Sequence, residues 1–172
     1  MKKISLFNLM LAAAVTVLAG CSESSSGGAT ASITAADLAG TWVDDCENDT
    51  SSSSIETTIV ISGNTIELTT NVYDVQNCAA SPTMTFNESW TFTLGGSCPL
   101  DGTVAGFTTG TQFDAEVTAS DFPGRAGTMT YDCIVLSAYR LYVGDEDADP
   151  AKDGSSADKR PVTLYVEPLI RV

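Results

Sequence analysis

The side chains that could do chemistry in this chain are limited by one absence. The 172 residues include five cysteines and no histidine. Without imidazole, Ser-His and Cys-His nucleophilic machinery cannot be built, and the commonest protein ligand for zinc or copper is missing. We therefore predict no catalytic residue, no cofactor and no metal centre, and we do not expect an enzyme.

Cys21 ends a segment with the composition of a lipoprotein signal peptide. Two lysines open the chain, a mainly apolar run extends to residue 18, and Ala19-Gly20 supplies the small residues that a signal peptidase requires. The run is too short and too interrupted for a stable membrane span. We predict a signal peptide over residues 1–20 and acylation of Cys21, palmitate included. Ser22, unlike an aspartate at that position, favours sorting to the outer membrane; the membrane face stays open.

The rest of the chain divides into a tether and one domain. Residues 21–32 are mostly Ser, Gly, Ala and Thr, which cannot bury enough apolar surface to fold. We predict an acylated flexible tether there and a single domain over residues 33–172, long enough for a sizeable core.

The charge of the chain restricts its partners. The formal net charge is −14 at pH 7, and no basic cluster is present. Binding to nucleic acid or to another polyanion is therefore excluded, and the membrane is expected to be reached through the lipid anchor.

The remaining cysteines are Cys46, Cys78, Cys98 and Cys133. An even number in an exported chain predicts two disulfides, and the wide spacing argues against a four-cysteine zinc site. We prefer Cys46–Cys78 with Cys98–Cys133, because each bond would tie neighbouring strands of a meander. The other two connectivities remain open.

Short segments of alternating apolar residues must position these groups. Thr34 can cap a short helix that Gly40 ends, and an extended segment at 41–43 then precedes turn-forming residues over 44–54. Gly63-Asn64 lies between two β-like runs and predicts a tight hairpin of residues 55–62 and 65–74.

Further strands are expected at similar spacing. They are 84–94 (ended by Gly95-Gly96), 104–108, 112–120, 128–137, 140–144 and 162–168. The fold class is therefore all-β, with about eight or nine antiparallel strands and a short N-terminal helix. A barrel is favoured over an immunoglobulin-like sandwich, because Cys78, Trp90 and Cys98 lie too close together for that pattern.

Gly40-Thr41-Trp42 after a short helix resembles the Gly-x-Trp opening of lipocalin-like (calycin) barrels. Several further segments make the chain similar to a group of uncharacterised proteobacterial outer-membrane lipoproteins. These segments are Cys46, Tyr73-Asp74, Arg140–Asp145, Asp153–Ser156 and Arg160-Pro161. This resemblance implies a small β-barrel tethered to the outer membrane, and it implies no known activity.

The lipocalin resemblance also implies roles for residues of the opening. Gly40 would let the chain turn in, and Trp42 would close one end of the barrel. An arginine from the last part of the chain, Arg140, Arg160 or Arg171, would stack on the indole. The same opening also resembles, less closely, that of periplasmic metalloprotease inhibitors built on small barrels.

Two further constellations remain candidates for binding. Asp145, Asp147 and Asp149 alternate as at the start of a calcium loop, with Asp153 downstream, but the glycine and glutamate of an EF-hand are absent. Calcium binding by this loop therefore stays open, and a solvated acidic loop is the simpler interpretation. Aromatic residues on the predicted strands could line a ligand cavity or simply fill the core. They are Trp42, Phe86, Trp90, Phe92, Phe107, Phe113, Tyr131 and Tyr139.

The sequence thus favours a membrane-anchored envelope lipoprotein that binds a small apolar ligand or an envelope protein at the open end of its barrel. The alternative is a structural, interaction or protease-inhibitor-like lipoprotein with a filled barrel and no small ligand. Cavity volume separates the two, since ligand pockets occupy about 300 Å³ or more.

Overall fold

Eight antiparallel strands close into a barrel in the computed structural model, which describes residues 33–172. A four-residue helix, α1 (Ala35–Leu38), precedes them. The strands are β1 (Gly40–Asn48), β2 (Ser54–Ser62), β3 (Thr65–Tyr73), β4 (Met84–Pro99), β5 (Thr109–Ser120), β6 (Met129–Ser137), β7 (Arg140–Tyr142) and β8 (Leu169–Arg171). Each strand pairs with the next, and β8 pairs with β1. The prediction of an all-β barrel with a short N-terminal helix is confirmed. The predicted signal peptide, Cys21 and the tether lie outside the described residues.

Helix α1 forms where its capping residues predict it. The Thr34 hydroxyl accepts a hydrogen bond from the Asp37 amide at 3.3 Å, and the Asp37 carboxylate accepts one from the Thr34 amide at 2.9 Å. This reciprocal capping box satisfies two backbone donors at the first turn. Leu38, at the end of the helix, is fully buried in the barrel core. No helix within residues 33–172 has the length and hydropathy needed to cross a membrane.

The β2–β3 hairpin also forms as predicted around Gly63-Asn64. Gly63 has a φ of +58°, the left-handed conformation that a tight hairpin turn requires. The register pairs Ile59 with Leu68 and Ile61 with Ile66. These four side chains are buried in the barrel interior.

Two strands were predicted to end too early. Strand β1 continues through Asn48, since Asp44, Glu47 and Asn48 pair with β2 where turns were expected. Strand β4 continues past Gly95-Gly96 to Pro99, and its pairing with β5 shifts register there. The glycines therefore mark a β-bulge and not a strand end, and a Cβ at Gly95 would lie 2.6 Å from the Gln112 side-chain oxygen.

Two predicted strands, 104–108 and 162–168, are also wrong. The first is a turn closed by a hydrogen bond from the Phe107 amide to the Val104 carbonyl at 3.1 Å. In the segment 162–168, Leu164 forms only an isolated bridge with Gly144. The last strand of the barrel is therefore β8, which follows this segment. Apolar side chains from both segments belong to a second cluster beside the barrel core, so burial there does not require a strand ladder. Its residues are Cys98, Leu100, Val104, Cys133, Val135, Tyr142 and Leu164, with Phe107 packed against them.

The two ends of the barrel differ in their connections. At the helix end, beside α1, the connections are 63–64, 100–108 and 138–139. At the opposite end, called the loop end below, they are 49–53, 74–83, 121–128 and 143–168.

Candidate functional site: the barrel interior and its loop end

Trp42 occupies the helix end of the barrel and is fully buried. Its indole Nε1 donates a hydrogen bond to the Leu38 carbonyl at 2.8 Å. The Arg171 guanidinium lies 4.4 Å from the centre of the ring, and Arg171 is the cross-strand partner of Trp42 between β8 and β1. Arg171 also donates a hydrogen bond to the Asp37 carbonyl. Helix, indole and arginine therefore form one packed unit at this end.

Gly40 is required by its backbone conformation. Its φ of +139° is one that residues with a side chain rarely adopt, whereas the space beside it would admit a Cβ at an ordinary contact distance of 3.7 Å from Arg171 Nε. Of the three arginines left open by the sequence, Arg171 is the one that stacks on Trp42. Arg140 lies over the exposed Tyr139, and Arg160 lies over Tyr131.

Both preferred disulfides, Cys46–Cys78 and Cys98–Cys133, are formed, so the predicted connectivity is confirmed. The reason given for it is wrong, because neither bond joins neighbouring strands. Cys46 in β1 is linked to a short 3-10 turn in the 74–83 connection. Cys98 in β4 is linked to Cys133 in β6 across the intervening β5 at Gly110, where an added Cβ would lie 3.4 Å from Cys98 Sγ.

The barrel interior contains a cavity of about 50 Å³. It is lined by Leu38, Ile59, Ile61, Ile66, Leu68, Trp90, Phe113, Thr130, Asp132, Ile134, Leu141, Val143 and Leu169. Pockets for small-molecule ligands occupy about 300–1,000 Å³. Phe92 and Phe113 stack with ring centres 5.1 Å apart inside the barrel. The aromatic side chains on these strands therefore fill most of the space that a ligand would need.

An ion pair closes the interior towards the loop end. Glu88 is 2% exposed and accepts hydrogen bonds from Ser120 Oγ at 2.6 Å, Arg125 Nε at 3.0 Å and Trp90 Nε1 at 3.2 Å. Arg125 comes from the 121–128 connection, and its guanidinium lies 5.7 Å from the Trp90 ring centre. Burying a carboxylate is costly unless a cation and hydrogen bonds compensate its charge, as they do here.

Sequence reasoning missed Glu88, although a signal was present. Phe86, Trp90 and Phe92 alternate along β4, and Glu88 occupies the vacant alternate position between them. An ionisable residue on the inner face of a strand implies a buried partner. The partner, Arg125, lies in the 121–128 connection, separated from β4 by the 100–108 connection and strand β5, and could not be identified from spacing.

Asp132 is a second buried carboxyl group, and it lines the cavity. Its Oδ1 accepts hydrogen bonds from the Cys133 amide at 2.6 Å and the Gly144 amide at 2.9 Å. Burial raises the pKa of Asp132 to about 7, although these amide donors act in the opposite direction. The hydrogen bond from the Gly144 amide attaches β6 to the start of the 143–168 connection, so Asp132 has a structural role.

A third group of carboxyls lies where β1 meets the segment before β8. Asp44 shares the inner face of β1 with Trp42, and Glu47 forms a side-chain hydrogen bond with Glu167. Burial raises the pKa of Asp44 to about 7, with further contributions from the charges of Glu47, Glu167 and Asp45. Burial likewise raises the pKa of Glu47, and Glu167 adds to the shift.

The acidic loop that was a candidate for calcium binding uses its carboxylates internally. Asp145 Oδ1 accepts hydrogen bonds from the amides of Asp147 and Ala148 at 3.0 and 3.1 Å, and Asp149 Oδ1 accepts one from Ala151 at 2.9 Å. Asp153 Oδ1 accepts hydrogen bonds from Ser155. Within the described part of the chain, no three Asp, Glu, Cys or His side chains are arranged to hold a metal ion. These side chains stabilise turns.

Comparison with known protein families and with curated proteins finds no match for this chain. The geometry of the barrel is therefore the basis for a functional proposal. That geometry provides a packed interior, buried carboxyls with structural partners, and a set of firmly attached loops.

Proposed function

We propose that this protein is an acylated envelope lipoprotein whose filled barrel is a rigid scaffold for contact with another envelope component. The observation that carries the proposal is the cavity volume of about 50 Å³. This volume is a small fraction of what a drug-sized ligand occupies. The alternative from the sequence analysis, a filled barrel without a small-molecule ligand, is therefore preferred to ligand transport.

The attachment of the loops at the loop end supports an interaction role. Arg160, in the 143–168 connection, donates to the carbonyls of Phe113 at 3.2 Å and Asp132 at 2.8 Å and pairs with Asp114. The 121–128 connection is held by Arg125, as described above. The Cys46–Cys78 disulfide fastens the 74–83 connection to β1. Loops that are already ordered lose little conformational entropy on binding, which favours recognition of a protein surface.

The anchor is supported by the sequence around Cys21. The apolar run, the Ala19-Gly20 pair and the composition of residues 21–32 are typical of a bacterial lipoprotein, and Ser22 favours its sorting to the outer membrane. We expect the Cys21→Ser variant to leave the membrane fraction or to remain unprocessed. Unchanged membrane fractionation of this variant would contradict the anchor.

The filled barrel is tested by native mass spectrometry of protein purified from its own envelope. We expect the mass of the acylated chain alone, with no apolar molecule released by lipid extraction beyond the acyl groups of the anchor. The Phe92→Ala variant is the matched control, because it removes a 3% exposed ring from the interior and should create a site for an apolar fluorescent probe. A stoichiometric ligand on the unmodified chain, or equal probe binding by both proteins in their folded state, would overturn the proposal.

A further inference from the structure

The outer wall of the barrel carries a row of residues without a carboxylate. Cross-strand pairs connect Arg140 on β7 to Ile170 on β8, Ile170 to Val43 on β1, and Val43 to Thr58 on β2. The row continues through Thr69 on β3 to Asn87 on β4. Directly paired residues share one face of a sheet. The row is thus a strip across six of the eight strands with one cation and no acid among its residues, in a chain with a net charge of −14. An acid meets it only at its far end, where Asn87 donates hydrogen bonds to the Asp121 carboxylate.

Exposed apolar side chains adjoin this row at the helix end. Val60 is 42% exposed, Tyr139 is 54% exposed and Val172 is 77% exposed. Backbone pairing places them side by side, since the Val172 amide donates to the Thr41 carbonyl and Thr41 pairs with Val60.

Tyr139 joins the same surface from the β6–β7 turn. Its carbonyl accepts a hydrogen bond from the Arg171 amide, directly before Val172. The surface formed by Val43, Val60, Tyr139, Ile170 and Val172, with Arg140 at its edge, is called the outer patch below. Glu67, the cross-strand partner of Val60, limits it on the other side.

The chemistry of the outer patch matches a lipid surface. The Arg140 guanidinium lies 5.4 Å from the centre of the Tyr139 ring, so one amphipathic ring and one cation are presented together. Tyrosine and arginine place apolar atoms against acyl chains while their polar ends stay among headgroups. The aliphatic residues beside them add uncharged area.

The first described residue, Ile33, lies at the same end, beside helix α1. Helix α1 follows Ile33 directly, and the Asp37 carbonyl is hydrogen-bonded to Arg171, which precedes Val172. In the sequence, residues 22–32 separate Cys21 from Ile33. A chain of that length spans at most about 40 Å when extended and about 20 Å as a flexible coil. An anchor at Cys21 would therefore keep the outer patch close to the bilayer.

We infer that the outer patch rests on the lipid surface into which the anchor inserts, so that the loop end faces away from the membrane. This inference rests on the proposed anchoring. A tether of this length gives an effective concentration on the order of millimolar, so a patch too weak to bind by itself is sufficient. A second membrane contact of this kind complements an acyl anchor.

The test uses oxidative footprinting of the mature chain attached to vesicles of phosphatidylethanolamine and phosphatidylglycerol. With four cysteines in disulfides, Cys21 is the single thiol of the mature chain, and it can be coupled to a maleimide lipid. Tyr139 is 54% exposed at the helix end, and Met84, at the loop end, is 52% exposed and serves as the matched reference. Coupling should lower the labelling of Tyr139 about threefold relative to Met84. Equal labelling before and after coupling would overturn the inference.

Variants separate contact by the patch from the effect of the tether alone. The Arg140→Glu, Ile170→Thr double variant should restore the labelling of Tyr139, while Val166→Thr at the loop end should change nothing. Protection of Tyr139 that persists in the double variant would mean that the tether alone orients the barrel. An unchanged melting temperature verifies that the variants are folded. Because coupling is chemical, the result is independent of whether cells acylate Cys21, which the fractionation of Cys21→Ser decides.

Discussion

Replacement of Trp42 by alanine should remove the central support of the helix end. The side chain is fully buried, and emptying a buried aromatic site costs about 3–5 kcal/mol of unfolding free energy. Three contacts are lost together, namely packing against Leu38, the hydrogen bond to the Leu38 carbonyl at 2.8 Å, and the stack with Arg171 at 4.4 Å. The total should therefore lie towards the upper end of that range.

Smaller substitutions divide this free energy among the contacts. Trp42→Phe keeps a ring but leaves the Leu38 carbonyl without its donor, which should cost about 1–3 kcal/mol. Arg171→Lys keeps the charge but loses the planar stack over the indole and should cost about 1 kcal/mol. The two effects should be non-additive in a double-mutant cycle, because both residues contact the same ring.

Urea unfolding followed by circular dichroism measures these values, with the slope m as a check that the unfolded state is unchanged. In a domain of this size Trp42→Ala should lower the melting temperature by about 10–20 °C. Tyr139→Ala is the control, since Tyr139 is a half-exposed aromatic residue and should change stability by about 0.5 kcal/mol or less. The reasoning fails if Trp42→Ala is no more destabilising than Tyr139→Ala.

Three other substitutions test the buried groups. The pKa of Asp44 is raised to about 7 from 3.8 in the unfolded chain, so its contribution to stability is present at pH 4 and is lost as the pH rises to 7. The Asp44→Asn variant should therefore have the same free energy of unfolding as the unmodified protein at pH 4. At pH 8 its free energy of unfolding should be higher by about 1–2 kcal/mol, allowing for solvent screening. Equal urea midpoints of the two proteins at pH 8 would contradict this. Arg125→Leu should cost about 3 kcal/mol, since it leaves Glu88 buried without a cation, whereas adding Glu88→Leu should restore much of the stability, as measured by the urea midpoint. Loss of the Cys98–Cys133 bond in a double serine variant should cost about 3–4 kcal/mol, and a melting temperature equal to that of the oxidised protein would show that the bond is dispensable.

Local features of the barrel could be predicted from residues that are close in sequence. The capping box at Thr34, the Gly63-Asn64 turn and the alternation along β2 and β3 each depend on interactions within a few residues. The same logic failed at Gly95-Gly96, because a bulge and a strand end have the same local composition. Whether pairing continues beyond such a glycine depends on the partner strand.

The composition of the chain by itself determined that no histidine is available as a base or a metal ligand, and it limited the number of disulfides that the cysteines could form. The tertiary structure alone decided which arginine stacks on Trp42, how the Cys98–Cys133 bond crosses β5, and which cation neutralises Glu88. Each of these contacts joins residues that are distant in the chain, and their proximity follows from the register and closure of the barrel. The size of the cavity was likewise beyond sequence reasoning, because alternation predicts which side chains point inward but not how completely they fill the space between them.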